Sequence, residues 1–112
     1  VISRKRSDRE IQQSAYMPRS WYVYILTNHV NSVFYTGVTN NLERRAFEHK
    51  SHHNPYSFSA RYRLYKLIWF EEFSHPMEAI ECEKKVKDMR REKKLGLIRN
   101  MNPLFRNLFS LR

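Results

Sequence analysis

The residues of this sequence best suited to chemistry fall within a short stretch that runs from Tyr35 to His49. It contains a phenol, a guanidinium and an imidazole, carried by Tyr35, Arg45 and His49. Arginine presents a planar fork that binds phosphate or carboxylate, and tyrosine and histidine can transfer protons. Arg45 and His49 stand at positions i and i+4, so they share one face if the stretch is helical. We interpret the stretch as a candidate site.

A strand, a turn and a helix are expected to position these groups. Tyr35 ends a run that is rich in β-forming residues, and Gly37 follows it. Because glycine has no Cβ, we expect Gly37 to let the backbone turn there. Asn40 or Asn41 can cap the helix that follows, which we predict over about residues 42–50.

A β-hairpin is predicted just before this unit. Trp21–Leu26 and Val33–Val38 are rich in aromatic and β-branched residues, and turn formers separate them. The strand period of two places three side chains on one face of the first strand, namely Tyr22, Tyr24 and Leu26, opposite Val23 and Ile25. Tyr24 and Tyr35 then belong to adjacent strands and could approach each other across the sheet.

The second half of the chain is predicted to add a third strand and two helices. The strand covers Leu64–Phe73, and its alternation puts Lys66, Ile68, Phe70 and Glu72 on one face and Leu67, Trp69, Glu71 and Phe73 on the other. Ser74 is expected to cap a long helix, and a shorter helix is expected over Leu95–Met101. We expect the tail that begins at Asn102 to pack back on the domain.

The long helix carries a row of apolar residues at spacings of three and four, which are Ala79, Cys82, Val86 and Met89. This spacing predicts a face that packs against a core. Glu83 stands one position beyond the row. It should therefore lie at the edge of the buried stripe and not on the solvated side.

The charge of the chain indicates a polyanionic partner. Its 112 residues allow one domain with one core, and 21 Lys and Arg against 11 Asp and Glu give a formal net charge of +10. Such an excess is typical of proteins that bind nucleic acid. No apolar run approaches the roughly 20 residues of a membrane-spanning helix, so a membrane role is not expected.

Residues 1–20 are interpreted as a basic leader, mobile or peripheral, ahead of a domain over residues 21–112. A short helix within this leader is the alternative, since Ser7 and Glu10 have the capping-box spacing. Cys82 is the single cysteine of the chain, so no internal disulfide can form. A reducing compartment fits, and we expect a cytoplasmic location.

The motifs resemble those of the GIY-YIG nucleases, and among them the small bacterial members similar to the N-terminal nuclease domain of the excinuclease C subunit. Val23-Tyr24-Ile25 stands where the family has its first tripeptide, with Tyr22 in place of the glycine, and Tyr35-Thr36-Gly37 is the second. Further matches follow in order, at Asn41 to Arg45, His49, Glu71 to Phe73, Ala79-Ile80, Glu83-Lys84, Lys87, Leu97-Ile98 and Asn102-Pro103. Several motifs at family spacing are a far stronger signal than either tripeptide alone.

The resemblance implies an α+β fold, in which helices flank a small three-stranded antiparallel sheet. It also implies hydrolysis of DNA phosphodiester bonds with one divalent metal, Mg²⁺ or Mn²⁺, in repair or recombination. By position, Tyr24 and Tyr35 are the paired site tyrosines, Arg45 is the catalytic arginine, His49 is an accessory histidine and Glu83 is the metal ligand. We expect a monomer.

The expected chemistry gives each group one task. Arg45 would hold the scissile phosphate, and Glu83 would hold the metal, because Mg²⁺ keeps several waters and needs few carboxylates. Our hypothesis is that Tyr24 takes the proton of the attacking water, that His49 accepts or relays it, and that Tyr35 orients the water or the phosphate. The two tyrosines could exchange these roles. The basic residues expected to contact nucleic acid are Arg44, Arg61, Arg63, Lys84, Lys87 and Arg91.

Ordinary structural roles compete with this interpretation. The two tyrosines could be core packing, and Glu83 could pair with Lys87 at i+4. Two positions that are often polar in the family are apolar here, at Val38 and Leu95. The alternative function is therefore a catalytically weak nucleic-acid-binding module that retains the nuclease fold. RNA in place of DNA is a lesser alternative.

Overall fold

The computed structural model describes residues 20–45 and 61–109. Its strands and helices are β1 (Trp21–Thr27), β2 (Phe34–Thr39), β3 (Lys66–Phe73), α1 (Pro76–Asp88) and α2 (Arg91–Met101), and a helical turn covers residues 42–45. The strands form one antiparallel sheet in the order β2-β1-β3. The α+β fold predicted from the sequence is confirmed. The leader predicted over residues 1–20 lies, except for Ser20, outside the described residues.

The β1–β2 hairpin forms as predicted because its turn has local polar partners. The Asn28 side-chain oxygen accepts hydrogen bonds from the backbone N–H of Ser32 at 2.8 Å and of Val33 at 3.3 Å. Asn31 takes a left-handed conformation with φ 58°, which asparagine tolerates better than most residues. The resulting register places Tyr24 opposite Gly37 and Leu26 opposite Tyr35.

The central strand β1 is buried on both sides, and its alternation divides the core into two faces. The helix-covered face consists of Val23, Ile25, Ile68, Trp69, Ala79, Val86 and Ile98. The tyrosine face consists of Tyr24, Leu26, Leu42, Leu64 and Leu67, with Tyr22, Val33, Tyr35, Phe70, Leu108 and Phe109 packed against it. The predicted division of the β1 side chains is confirmed.

The predicted alternation of the third strand is wrong at its centre. A β-bulge shifts the register, so that Ile25 pairs with Trp69 while Leu26 pairs with Leu67. The extra residue, Ile68, therefore joins Trp69 on the helix-covered face. Leu67 and Phe70 lie together on the tyrosine face.

The two helices begin at other residues than predicted. The N-cap of α1 is His75, so the prediction of Ser74 as the cap is wrong. His75 makes no side-chain capping hydrogen bond. Pro76, the first helical residue, has a backbone angle that already suits the helix. The predicted apolar row of α1 is confirmed, since Ala79 and Val86 are buried and their neighbours in the row pack against them. The second helix begins earlier than predicted, at Arg91.

The tail packs back on the domain as expected. The buried Asn102 side chain donates to the carbonyl oxygens of Ile68 at 3.0 Å and of Arg106 at 2.8 Å. The backbone N–H of Leu108 donates to the Leu67 carbonyl at 2.7 Å. These bonds tie the tail to β3. Neither helix in the described part of the chain is long and apolar enough to cross a membrane.

Candidate active site

Tyr24 and Tyr35 meet on the tyrosine face, as the sequence predicts. They stand on adjacent strands in a diagonal pairing, and their ring centroids lie 6.2 Å apart with an interplanar angle of 42°. Tyr24 is almost fully buried, with 1% of its surface exposed, whereas Tyr35 is half-buried. The pair therefore has an inner and an outer member.

Gly37 makes room for the inner tyrosine. A Cβ at this position would lie 2.5 Å from the Tyr24 hydroxyl oxygen and 2.7 Å from its Cζ. Gly37 lies inside β2 and has no positive φ, so the expectation that it lets the chain turn is wrong. Its missing side chain is needed because the Tyr24 hydroxyl crosses directly over the neighbouring strand.

Arg45 reaches the same hydroxyl from the helical turn over residues 42–45. The turn is capped by Asn41, whose side-chain oxygen accepts the backbone N–H of Arg44 at 2.9 Å, so one of the two predicted caps is confirmed. Thr39, at the end of β2, orients the cap by accepting the Asn41 N–H at 3.1 Å. Arg45 Nε then donates to the Tyr24 hydroxyl oxygen at 3.1 Å.

This environment alters the acidity of the inner tyrosine. Burial raises the pKa of Tyr24 from 10.0 to about 12, since it penalises the phenolate. The Arg45 hydrogen bond lowers the pKa, and the charge of a neighbouring Tyr35 phenolate would raise it again. Tyr24 is thus a neutral phenol at ordinary pH that accepts a hydrogen bond from a fixed guanidinium.

Glu83 lies on α1, at the edge of the helix's buried stripe, as predicted. Its side chain is 19% exposed, and one carboxylate oxygen lies 2.9 Å from Lys87 Nζ, one helical turn further on. This ion pair is the ordinary role anticipated for Glu83. A carboxylate has two oxygens and several lone pairs, so the pair leaves Glu83 capable of binding a cation.

Lys87 connects α1 with the tyrosine pair. Its hydrogen bond to Glu83 raises its pKa, burial opposes this, and negative charge on Glu83 or Tyr35 raises it further. Lys87 therefore interacts electrostatically with the outer tyrosine. The helix that carries the Glu83–Lys87 pair contacts β2, the edge strand that carries Tyr35.

The six basic residues predicted to contact nucleic acid do not form one cluster of equivalent cations. Arg44, Arg61, Arg63, Lys84, Lys87 and Arg91 are all exposed. Arg91, however, donates to the carbonyl oxygens of Asn31 at 3.1 Å and Ser32 at 3.4 Å and covers the Phe34 ring at 4.7 Å. It holds α2 against the hairpin turn, a structural role that the sequence did not predict. Nucleic-acid contact by these six residues stays a prediction.

The predicted metal ligand, Glu83, lies among the described residues, but the predicted proton relay, His49, does not. Among residues 20–45 and 61–109, no group of three or more His, Cys, Asp or Glu could hold a metal ion. A single carboxylate is what the sequence predicts, and Glu83 fits this description. His49 lies outside the described residues, so its accessory role stays a prediction.

Sequence reasoning missed two positioning residues, Thr39 and Asn102. Thr39 orients the cap of the turn that carries Arg45. Asn102 joins the end of α2 to β3 through buried hydrogen bonds. The Asn102-Pro103 motif was a signal for the second residue, but only the fold shows that its amide has a structural partner.

A three-stranded sheet flanked by helices, with a tyrosine pair and an arginine on one face, is the architecture of a GIY-YIG domain. Residues 20–95, more than half of the chain, match the GIY-YIG catalytic domain. The chain belongs to the GIY-YIG family.

Two relatives support this assignment. The UPF0213 protein CPE1444 of Clostridium perfringens (strain 13 / Type A) is 42% identical over 81 residues, which cover 69% of this chain and 81% of that protein. The solution NMR structure of the UPF0213 protein BH0048 from Bacillus halodurans is similar with a TM-score of 0.51 at 29% identity, over 82% of this chain and 96% of that one. Neither name states an activity.

Proposed function

We propose that this chain is a metal-dependent endonuclease that hydrolyses DNA phosphodiester bonds. One observation carries the proposal, which is the convergence of Tyr24, Tyr35 and Arg45 from a central strand, an edge strand and a helical turn. The hydrogen bond between Arg45 and Tyr24 is part-buried and holds the guanidinium beside the tyrosine pair, so we assign this group of residues to substrate binding. Membership of a nuclease family and the formal charge of +10 support DNA as the substrate.

Arg45 is assigned to the scissile phosphate. The bond from its Nε to Tyr24 fixes the guanidinium plane. A fixed, planar cation can stabilise charge that develops on the phosphoryl oxygens without reorganising during the reaction. Lysine, which has one charged nitrogen on a flexible chain, could not make both contacts in the same geometry.

The two tyrosines receive different tasks. Tyr24, whose pKa burial raises to about 12, is a poor proton acceptor and fits the role of a neutral anchor for Arg45. Tyr35 is more exposed than Tyr24, and it interacts electrostatically with Lys87. We therefore assign the proton of the attacking water to Tyr35, the exchanged form of our first hypothesis, with His49 as the relay.

Glu83 is assigned to a divalent metal. Its carboxylate is partly sheltered and has one oxygen beside Lys87. Mg²⁺ keeps several waters and is commonly bound by one or two carboxylates together with substrate phosphate, so a lone Glu83 suits it. The bound ion would supply Lewis-acid stabilisation of the phosphoryl oxygens.

The rival function is a binding module without significant cleavage. It is favoured by Val38, which stands where many family members are polar but packs here against the helix-covered face. Leu95 is half-buried at the other such position. In this alternative, the basic surface would bind nucleic acid and the tyrosine face would serve stability alone.

Cleavage of labelled DNAs separates the two functions. Single-stranded, duplex, flap and branched DNAs would be incubated with Mg²⁺ or Mn²⁺ and the wild type, Glu83→Gln or Glu81→Gln. Glu81 is an exposed residue of the same helix, so its substitution is the matched control for charge. We expect the wild type and Glu81→Gln to cut, and Glu83→Gln to bind without cutting.

Two results would overturn the proposal. One is binding of all three proteins without cleavage of any substrate, which is the behaviour of the rival module. The other is cleavage by Glu83→Gln at the wild-type rate. If a matched RNA strand is cleaved faster than the DNA strand, the substrate is RNA and not DNA. A cytoplasmic repair or recombination role and a monomeric state belong to the same proposal.

A further inference from the structure

A cavity of about 340 Å³ lies at the end of the sheet, outside the tyrosine site. It is lined by Thr27, His29, Arg63, Tyr65, Lys66 and Asn107. These residues come from the end of β1, the hairpin turn, the segment before β3, the first residue of β3 and the tail. The cavity is therefore formed by the fold and has no single sequence motif. Its volume is in the range of small-ligand sites, which begins at roughly 300 Å³.

The charge of this cavity differs from that of two other cavities in the described part of the chain. Arg63 and Lys66 are cationic, His29 can donate a hydrogen bond, and none of the described lining residues is a carboxylate. The cavity between α1 and α2 is also lined by cationic residues, but it includes the carboxylates of Asp88 and Glu92. A third cavity, beside β3, includes Glu71. Of the three, the cavity at the end of the sheet is the one suited to an anion.

Two further groups make this cavity more specific than a basic patch. Tyr65 contributes an aromatic ring, on which a nucleobase can stack. Asn107 uses its side-chain oxygen to accept the N–H groups of Leu67 and Phe109, each at 3.1 Å. This fixes the amide so that its NH₂ group is the end able to donate to a ligand.

Arg63 has an unusual backbone. Its φ is 57°, a left-handed conformation that only a few per cent of non-glycine residues adopt. Such conformations persist where the surrounding structure holds them, and they are concentrated at binding and catalytic sites. At Arg63 the conformation occurs beside the cavity, where a cation is presented.

We propose that this cavity binds one nucleotide, with Arg63, Lys66 and Asn107 at its phosphate and Tyr65 against its base. Thr27 lines the cavity and directly follows Leu26, which pairs with Tyr35 across the sheet. A strand bound at the tyrosine site could therefore place a neighbouring nucleotide here. This extension to a DNA strand rests on the proposed function, whereas nucleotide binding itself does not.

The test is binding measured by NMR on the isotopically labelled full chain. The probes are inorganic phosphate, 5′-dTMP and a 5′-phosphorylated tetrathymidylate, each added without divalent metal so that no cleavage occurs. The first variant is Arg63→Asn with Lys66→Gln, since asparagine tolerates the left-handed backbone. Its control is Arg90→Gln with Lys93→Gln in the cavity between the helices. Tyr65→Leu tests stacking.

We expect 5′-dTMP to shift resonances of Tyr65, Lys66 and Asn107. The first variant should weaken its binding about tenfold or more, through loss of charge-assisted hydrogen bonds, while the control should not. Tyr65→Leu should weaken 5′-dTMP binding and leave phosphate binding unchanged. Tighter binding of the tetranucleotide than of 5′-dTMP would assign the cavity to a strand, and equal binding to a free nucleotide.

The inference is overturned if 5′-dTMP shifts none of the lining residues, or if both double variants weaken binding equally. Equal loss would mean that net charge alone attracts the probe. These outcomes are independent of catalysis. Glu83-dependent cleavage without nucleotide binding in this cavity would support the nuclease proposal and contradict the inference about the cavity. Nucleotide binding without any cleavage would support the inference about the cavity and contradict the nuclease proposal.

Discussion

The two faces of the sheet use the same central strand for different purposes. On the helix-covered face, β1 contributes Val23 and Ile25 to an aliphatic core beneath the helices. On the tyrosine face, it contributes Tyr24 and Leu26. Tyr24 is as buried as its aliphatic neighbours, yet it has a polar atom that must be satisfied, and Arg45 satisfies it.

The two faces therefore differ in what their side chains determine. Replacing a residue on the helix-covered face should change stability and leave the geometry around Tyr24 intact. On the tyrosine face, stability and site geometry depend on the same side chains. Four substitutions test this distinction.

The largest loss of stability is expected from Ile25→Ala. Ile25 is fully buried on the helix-covered face, and its truncation should cost about 2–5 kcal/mol of unfolding free energy in urea denaturation. Val30→Ala, at an exposed turn residue, is the control and should change stability by less than about 0.5 kcal/mol. The two faces are not separable if the folded Ile25→Ala protein has lost the elevated pKa of Tyr24.

The second prediction concerns alkaline pH. The pKa of Tyr24 is raised to about 12 in the folded protein, so the unfolded chain releases this proton first, near pH 10. Stability is therefore fully present below pH 10 and should fall by roughly 2–3 kcal/mol between about pH 10 and 12. Tyr24→Phe should lack this part of the decline. Parallel declines in the two proteins would mean that Tyr24 is not the group responsible.

The third prediction compares the two glycines of the chain. Gly37→Ala should cost about 1–3 kcal/mol and displace the Tyr24 ring, because the new Cβ would overlap its hydroxyl. Gly96→Ala, in α2, meets nothing within 4 Å and should stabilise the protein by about 0.5–1 kcal/mol. Thermal unfolding of both variants checks the signs. A neutral Gly37→Ala would show that the tyrosine has more room than the structure indicates.

The smallest effect is expected at the cap of the turn that carries Arg45. Asn41→Ala removes the acceptor of the Arg44 N–H and should cost about 1 kcal/mol. Asn40→Ala is the control, because the Asn40 side chain contacts only the Arg44 side chain among the bonds described, and it should cost less than about 0.5 kcal/mol. Equal losses of stability in the two variants would show that Asn41 does not cap the turn.

Local pattern was sufficient to predict much of the fold. The period of two in Trp21–Leu26 divided the β1 side chains correctly, and the apolar spacing in α1 placed Glu83 at the edge of the buried stripe. These features are set by the geometry of single strands and helices. The cap at Asn41 is also local, since its partner is three residues away.

The remaining features depend on residues distant in sequence. The bulge at Ile68 arises where β3 pairs with β1, and strict alternation cannot reveal it. The need for Gly37 comes from a tyrosine on another strand, and the role of Arg91 comes from a turn 59 residues earlier. The resemblance to the family predicts Tyr24 and Arg45 as residues of one site, but their hydrogen bond and the altered acidity of Tyr24 required the packed structure.

The most direct test of the nuclease account is the rate of DNA cleavage by Arg45→Ala compared with Arg44→Ala. The two arginines are adjacent and have equal charge, but only Arg45 contacts Tyr24 in the bonds described. We predict that Arg45→Ala reduces the cleavage rate by roughly 100-fold or more at saturating DNA, whereas Arg44→Ala changes mainly the affinity. Equal rates for the two variants, or no cleavage by the wild type on any DNA structure, would contradict the account.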